Sequence, residues 1–234
     1  IKLIFWYNIF RKEKEKEKNR MGSILAGMFI SLGAVVYLKV GGIAGALLFS
    51  VGLMSVLYTQ TELFTGKARL LVSRELSLIR LIQIWIGNFI GCCLMVLLVC
   101  PTPIGAAIIE PAAAIAATRA ANSFLVNMVL GIGCGMLMTT AVEGTTTTGN
   151  WLFAIIPVAT FILIGFNHCV ADMFYILASG CGYWSLIPTT LGNIIGCCTK
   201  GIIQILDTLI REPELEEEVV KTIGFSVPRE PKPK

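Results

Sequence analysis

The sequence is poor in charge. Of its 234 residues only 15% are Asp, Glu, Lys or Arg, against roughly 25% in an ordinary soluble domain. The charges are also segregated: ten lie in residues 1–20, eleven in 211–234, and the 190 residues between carry thirteen. A soluble domain of that size cannot cover its surface with so few, which leaves an integral membrane protein with two polar tails. Histidine is almost missing, with His168 alone. Together with the lack of any CxxC pair this argues against a metal site, and no metal or cofactor is expected. All eight cysteines lie in or beside apolar runs, so they read as small residues packed between helices and not as a disulfide framework. Nothing in the charge pattern suggests nucleic-acid binding.

Residues 1–20 do not read as a signal peptide. Its pattern puts charge before the apolar run and a small-residue cleavage site after it, whereas here IKLIFWYNIF precedes RKEKEKEKNR. Residues 1–20 read either as an interfacial helix with Trp6 and Tyr7 at the headgroups, or as a stretch upstream of a natural start at Met21. They form a charged N-terminal segment, 21–208 a membrane domain, and 209–234 a charged C-terminal tail.

Apolar runs fill the middle. A spanning helix needs about 20 mostly apolar residues, and six stretches qualify: 22–40, 43–65, 79–100, 122–142, 151–177 and 183–206. Two are interrupted. The second runs into YTQTELFTG, with Glu62 and Thr65 at membrane depth, and the fifth into FNHCVADMF, with Asn167, His168 and Asp172 there. Irregular backbone at that depth is tolerated only where it is buried in protein or lines a watery cavity, and an ionisable group there marks function by default. With the basic N-terminus inside, six spans place Lys67, Arg69, Arg74, Arg80, Lys200 and Arg211 inside as well, which satisfies the positive-inside rule. Both termini are therefore expected to be cytoplasmic, in the cell membrane. Residues 101–121 become an outside loop. RLLVSR at 69–74 is juxtamembrane and basic, with anionic lipid as its natural partner.

One phrase occurs twice: GNFIGCC at 87–93, in the third span, and GNIIGCC at 192–198, in the sixth. The broken helices are the second and fifth. The chain is thus two halves of three spans, and an odd number per half inverts the second. Paired discontinuous helices in inverted repeats are the sequence signature of a transport pathway near the bilayer midplane. Gly87 and Gly91, and Gly192 and Gly196, are four apart and so share a helix face open to close helix packing.

The stretches FSVGLMSVLYTQTELFTG at 49–66 and ATFILIGFNHCVADMF at 159–174 resemble the formate/nitrite transporter family, with its ELFTG or DLFTG loop and its GFEHSxAN-type motif. The resemblance covers about 21–206. It implies an aquaporin-like all-α protomer, a homopentamer, and passage of small monovalent weak-acid anions (formate, nitrite, hydrosulfide, short carboxylates) with a coupled proton. By motif position, Phe49, Leu53 and Phe161 resemble the outer constriction and Leu63 and Phe64 the inner one. Thr65 resembles the threonine beside the central histidine, and His168 that histidine. Arg119 resembles the lysine that draws anions into the vestibule.

The chemistry of the residues agrees. A bare anion crossing rings of Phe and Leu must shed its water, at prohibitive cost, and a neutral acid does not. A histidine, with an unperturbed pKa of roughly 6.5, can donate a proton or a strong hydrogen bond there. The motif also departs from the family pattern: Asn167 stands for glutamate, Cys169 for serine, Asp172 for asparagine and Gly135 for asparagine. Asp172 follows His168 by four, on the same helix face, and is expected to supply the carboxylate that Asn167 lacks. Glu62, on the substrate pathway, is expected to hold its loop by accepting backbone N–H bonds, with a direct proton relay as the alternative. Two alternatives stand beside this: a neutral-solute pore for water, ammonia or undissociated acid that makes no use of His168, and a membrane enzyme with Cys169 and His168 as a thiol pair.

Overall fold

The structure, a computed structural model, describes the backbone of residues 2–211 and side chains at 21–208 and 210. The expectations for the side chains of 1–20 and for the acidic tail fall outside the described residues. Packing defines one unit, Ile1–Cys198, and a second from Thr199 onward; the contacts described below lie within the first.

Nine α-helices are described: α1 (Lys2–Val40), α2 (Gly42–Tyr58), α3 (Phe64–Ala68), α4 (Leu78–Val99), α5 (Pro103–Ala121), α6 (Phe124–Thr148), α7 (Leu152–Leu163), α8 (Cys169–Ser179) and α9 (Leu186–Arg211). The six expected spans map onto α1, α2 with α3, α4, α6, α7 with α8, and α9. Both expected interruptions are present. The first separates Tyr58 from Phe64 and holds Gln60 at φ 55; the second separates Leu163 from Cys169 and holds Gly165 at φ 82.

One element corrects the sequence reading. Residues 101–121, expected as an outside loop, contain α5. Thr102 caps it, accepting from the Ile104 and Gly105 amides, and Pro103 opens it. This is a legible helix start, hidden by Glu110 and Pro111 in mid-run. The helix is long and apolar enough to cross a membrane, but its contacts place both of its ends at one end of the bundle. Gly105 lies against Cys100, where α4 finishes, and Ala116 lies against Gly182, where α8 has finished. Arg119 shares a cavity with Tyr37, near the end of α1. We call this the upper end. The helix links the two halves across it, and the count of six crossings stands.

The repeated phrase packs each half together. Side chains built on Gly87 and Gly91 would run into Ser23 and the Ile24 carbonyl of α1; on Gly192 and Gly196 they would run into the Met128 and Ile132 carbonyls of α6. In return, Gly27 of α1 abuts the Asn88 carbonyl and Gly135 of α6 the Asn193 carbonyl. The α1–α4 and α6–α9 seams are thus glycine against backbone, as membrane helices use where no hydrophobic force pulls them together. Lipid-level surface is left apolar: Leu97 and Leu98 on α4 and Ile156 on α7 are exposed.

The TTTTGN run at 145–150 reads in the sequence as an inside turn that caps the fifth span, and the structure divides it between two helices. Thr145–Thr148 complete α6, Gly149 closes it at φ 70, and Asn150 alone serves the next helix by accepting from the Leu152 amide.

The seam gives a test. Gly91→Val should cost at least about 3 kcal/mol, the upper end for overpacking, and lower the thermal midpoint of the detergent-solubilised protein. Gly22→Ala, where a Cβ meets nothing closer than 3.9 Å, should not lower it. Equal midpoints would show that the seam is not close-packed.

Candidate functional site

The two breaks are held by one device used twice. Asn88 of α4 accepts the Phe64 amide on Oδ1 (2.9 Å) and donates from Nδ2 to the carbonyls of Glu62 (2.9 Å) and Ser23 (2.6 Å). Asn193 of α9 accepts the Cys169 amide (2.8 Å) and donates to the carbonyls of Asn167 and Gly131 (each 2.8 Å). Each asparagine therefore ties a residue within a break (Glu62 or Asn167), the first residue of the helix that follows, and the opposing helix of its own half. An orphan amide at a helix start and a loose carbonyl are satisfied at once, which buried backbone requires.

The following cysteines cross between halves. The Cys92 thiol donates to the Val170 carbonyl in α8 (3.5 Å) and the Cys197 thiol to the Thr65 carbonyl in α3 (3.2 Å). Sequence reasoning saw glycine packing in GNxIGCC and missed the work of its Asn and first Cys. The signal was present: an amide side chain at the same place in both halves, in apolar surroundings, needs backbone partners.

This scaffold brings Thr65 and His168 together. Both are buried, with Thr65 Oγ1 2.9 Å from His168 Nε2. Nδ1 of His168 accepts the Ala171 amide (3.2 Å), so the imidazole caps α8. An amide can only donate, so Nδ1 carries no proton and the neutral ring has its N–H on Nε2, directed at Thr65. Phe161 stacks on the imidazole at 5.6 Å between ring centroids and meets Phe49 edge-on at 6.0 Å. Phe49, Leu53, Leu63 and Phe64 are all buried.

Two cavities approach this centre. The upper one, about 210 Å3, is bordered by Tyr37, Arg119, Phe161, Asn167, His168 and Tyr175 among others; the lower one, about 200 Å3, is bordered by Leu63, Gly66, Lys67, Arg69, Val142 and Thr146 among others. The upper touches α6 at Leu130 and the lower at Val142, about 18 Å apart along a helix. They open from opposite ends, with the Phe and Leu side chains, Thr65 and His168 between them.

The remaining residues take partners other than those expected. Asp172 does not serve His168: its carboxylate pairs with Arg119, whose guanidinium also lies 5.7 Å over the Tyr175 ring. Glu62 does not gather backbone amides; it pairs with Arg80 of α4. Asn167 donates to Asn127 Oδ1 (3.0 Å) and Thr189 Oγ1 (3.4 Å). Asn127 in turn donates to the Arg119 carbonyl (2.8 Å) and so fixes the end of α5. That role was also missed. Gly135, where the family pattern has asparagine, is filled by the α9 backbone at Asn193, so no side chain fits there.

A sequence profile described as Formate/nitrite transporter matches residues 11–204. The chain belongs to the formate/nitrite transporter family. Among similar proteins, the formate channel BtFdhC of Bacillus thuringiensis is 29% identical over 207 residues, covering 74% of this chain and 79% of its own. The transporter YrhG of Bacillus subtilis strain 168 is 32% identical, covering 74% and 77%. A solved pentameric formate channel with formate bound shares 25% identity at a TM-score of 0.69, covering 85% of this chain and 98% of that one. An FNT family ion channel, 21% identical, has the same fold at a TM-score of 0.74. The chain is thus a multi-pass membrane protein of a formate/nitrite transporter family with the aquaporin-like fold. Membership replaces the thiol-enzyme alternative, because the relatives are channels and not enzymes.

Asn193→Ala would strip partners from one buried amide and two carbonyls. The Gly131 carbonyl keeps its helix partner, so two groups are left unsatisfied; at about 1–3 kcal/mol each, a loss of at least about 2 kcal/mol is expected, read as a lowered thermal midpoint, with Asn88→Ala alike. A loss under about 1 kcal/mol for either would mean that the asparagines do not hold the breaks.

Proposed function

We propose that the protein conducts small monovalent anions of weak acids, formate first among them, and that each anion crosses the apolar centre as the neutral acid. The observation that carries this is the Thr65–His168 pair, the polar contact between two cavities otherwise divided by Phe and Leu. The names of the related formate channels support the substrate class.

The proton balance is simple. The resting imidazole is neutral, with its proton on Nε2. It takes a second proton from water in the upper cavity, which His168 borders. The bond from the Ala171 amide opens as Nδ1 becomes a donor. The imidazolium draws in the anion, passes it the Nε2 proton, and returns to its resting tautomer as water in the upper cavity takes the Nδ1 proton and returns one to Nε2. The acid then passes Phe49, Leu53 and Phe161 on one side and Leu63 and Phe64 on the other. A neutral acid avoids the several kcal/mol that an unpaired charge would cost there. Thr65 orients the ring by accepting from Nε2 at rest, and Asn167 fixes the backbone before it. Arg119 supplies donors to the anion in the upper cavity.

The functional unit in this reading is a homopentamer with one pore per protomer, as in the solved pentameric relative; both termini face the cytoplasm, and the basic segment at 69–74 meets anionic lipid.

The test is formate, nitrite and hydrosulfide flux into proteoliposomes from pH 5 to 8, wild type against His168→Phe. Flux should rise as pH falls, since protons are carried with the anion, and the variant should lose at least about a hundredfold, the lower end of what one positioned proton donor contributes, while remaining assembled. Flux that is flat with pH and survives the substitution would mean a neutral-solute pore.

A further inference from the structure

Arg119 is the cation of the upper cavity, and its buried counter-ion is Asp172. The guanidinium side chain is 12% exposed and the carboxylate side chain not at all. The carboxylate has no hydrogen-bond partner besides this pairing among the described residues. The groups near the guanidinium are Tyr37 from α1, Cys134 from α6, Tyr175 from α8, and His168, which caps that helix. The phenols and the thiol are neutral acids, and the imidazole at rest is neutral. The other charges of this end, Lys39 and Glu110, sit exposed on α1 and α5. At rest the interior of the upper mouth therefore carries one positive and one negative charge, in contact.

We propose that Asp172 is a counter-charge that makes the upper mouth electrically neutral, so that an entering anion is held there by the N–H donors of Arg119 and not by a net positive charge, and that Asp172 thereby sets the anion affinity. This rests on the reading of the protein as an anion channel. The geometry permits it because a guanidinium has five donors in a planar fork and a carboxylate engages two of them at most. Tyr175 covers one face, and the remaining donors border the cavity. A full positive charge in a low-dielectric pocket binds an anion tightly and releases it slowly, whereas conduction needs binding weak enough to leave. Neutralising the cation while keeping its donors meets both demands. It also accounts for Asp172 standing where the family pattern has an uncharged asparagine.

The experiment is formate flux into proteoliposomes as a function of formate concentration, for wild type, Asp172→Asn, Arg119→Gln and the double variant, each checked for assembly by size exclusion. Freeing the positive charge in Asp172→Asn should lower the half-saturating concentration by about tenfold, equivalent to about 1.4 kcal/mol, and reduce the plateau rate. Arg119→Gln should raise half-saturation, because a lone carboxylate then faces the anion. The double variant, neutral again and with the two N–H donors of the glutamine amide in place of the guanidinium's, should return to within about threefold of wild type. An unchanged half-saturation in Asp172→Asn, or a double variant as weak as Arg119→Gln, would overturn the proposal. If either single variant fails to assemble, the double variant decides it, since neither charge is then buried alone: half-saturation near wild type supports the counter-charge, and more than about tenfold above it overturns it. A wild type that passes no small anion overturns the channel reading as well; a conducting wild type with an unresponsive Asp172→Asn overturns this inference alone.

Discussion

Everything at the centre of this protein hangs on a side-chain amide that does what a backbone cannot. A helix interrupted inside a membrane leaves amides and carbonyls without partners, and no water is at hand to take them. Asn88 and Asn193 each supply one acceptor and two donors at such a point, and each spends all three on backbone. With the amides of Phe64 and Cys169 held, α3 and α8 begin where they do. Thr65 and His168 then stand one residue beyond and one residue before a fixed point, and they meet. The glycines on either side of each asparagine bring α1 and α6 close enough for the third bond. The seven-residue phrase is therefore a single unit: two glycines for approach, an asparagine for the break, and a cysteine that reaches into the other half.

That dependence makes the two halves one object. The Cys92 and Cys197 thiols bond to the carbonyls of Val170 and Thr65, so each half steadies the broken helix of the other. Thiols are weak donors, and the asparagines carry most of the restraint. The polar groups near the centre are otherwise partnered by side chains from a neighbouring helix: Asn167 by Asn127 and Thr189, Asp172 by Arg119, Glu62 by Arg80. The centre is built from groups that hydrocarbon alone would not tolerate.

Much of this was legible in the sequence. The class, the six crossings, the two interruptions and the meeting of Thr65 with His168 follow from apolar run length, from polar residues at membrane depth and from the family motifs. Other things were not, three of them for distinct reasons. The helix Pro103–Ala121 was hidden because Glu110 and Pro111 break its apolar run, although Thr102 and Pro103 announce its start. The partner of Asp172 was misplaced because the spacing of four from His168 describes one helix face, and what else faces that side is set by α5, distant in sequence. The asparagines were passed over because their partners are backbone groups, which carry no residue identity for a sequence to reveal.

The central claim is that the scaffold holds His168 with Nδ1 accepting from backbone and its proton on Nε2, aimed at Thr65. The chain has one histidine, so untagged protein grown with 15N-histidine reports a single imidazole. Its nitrogen resonances in bilayers at neutral pH should show one neutral tautomer, protonated at Nε2, with a non-protonated Nδ1 that accepts a hydrogen bond. A ring protonated at Nδ1, or an equal mixture of tautomers, would contradict the account.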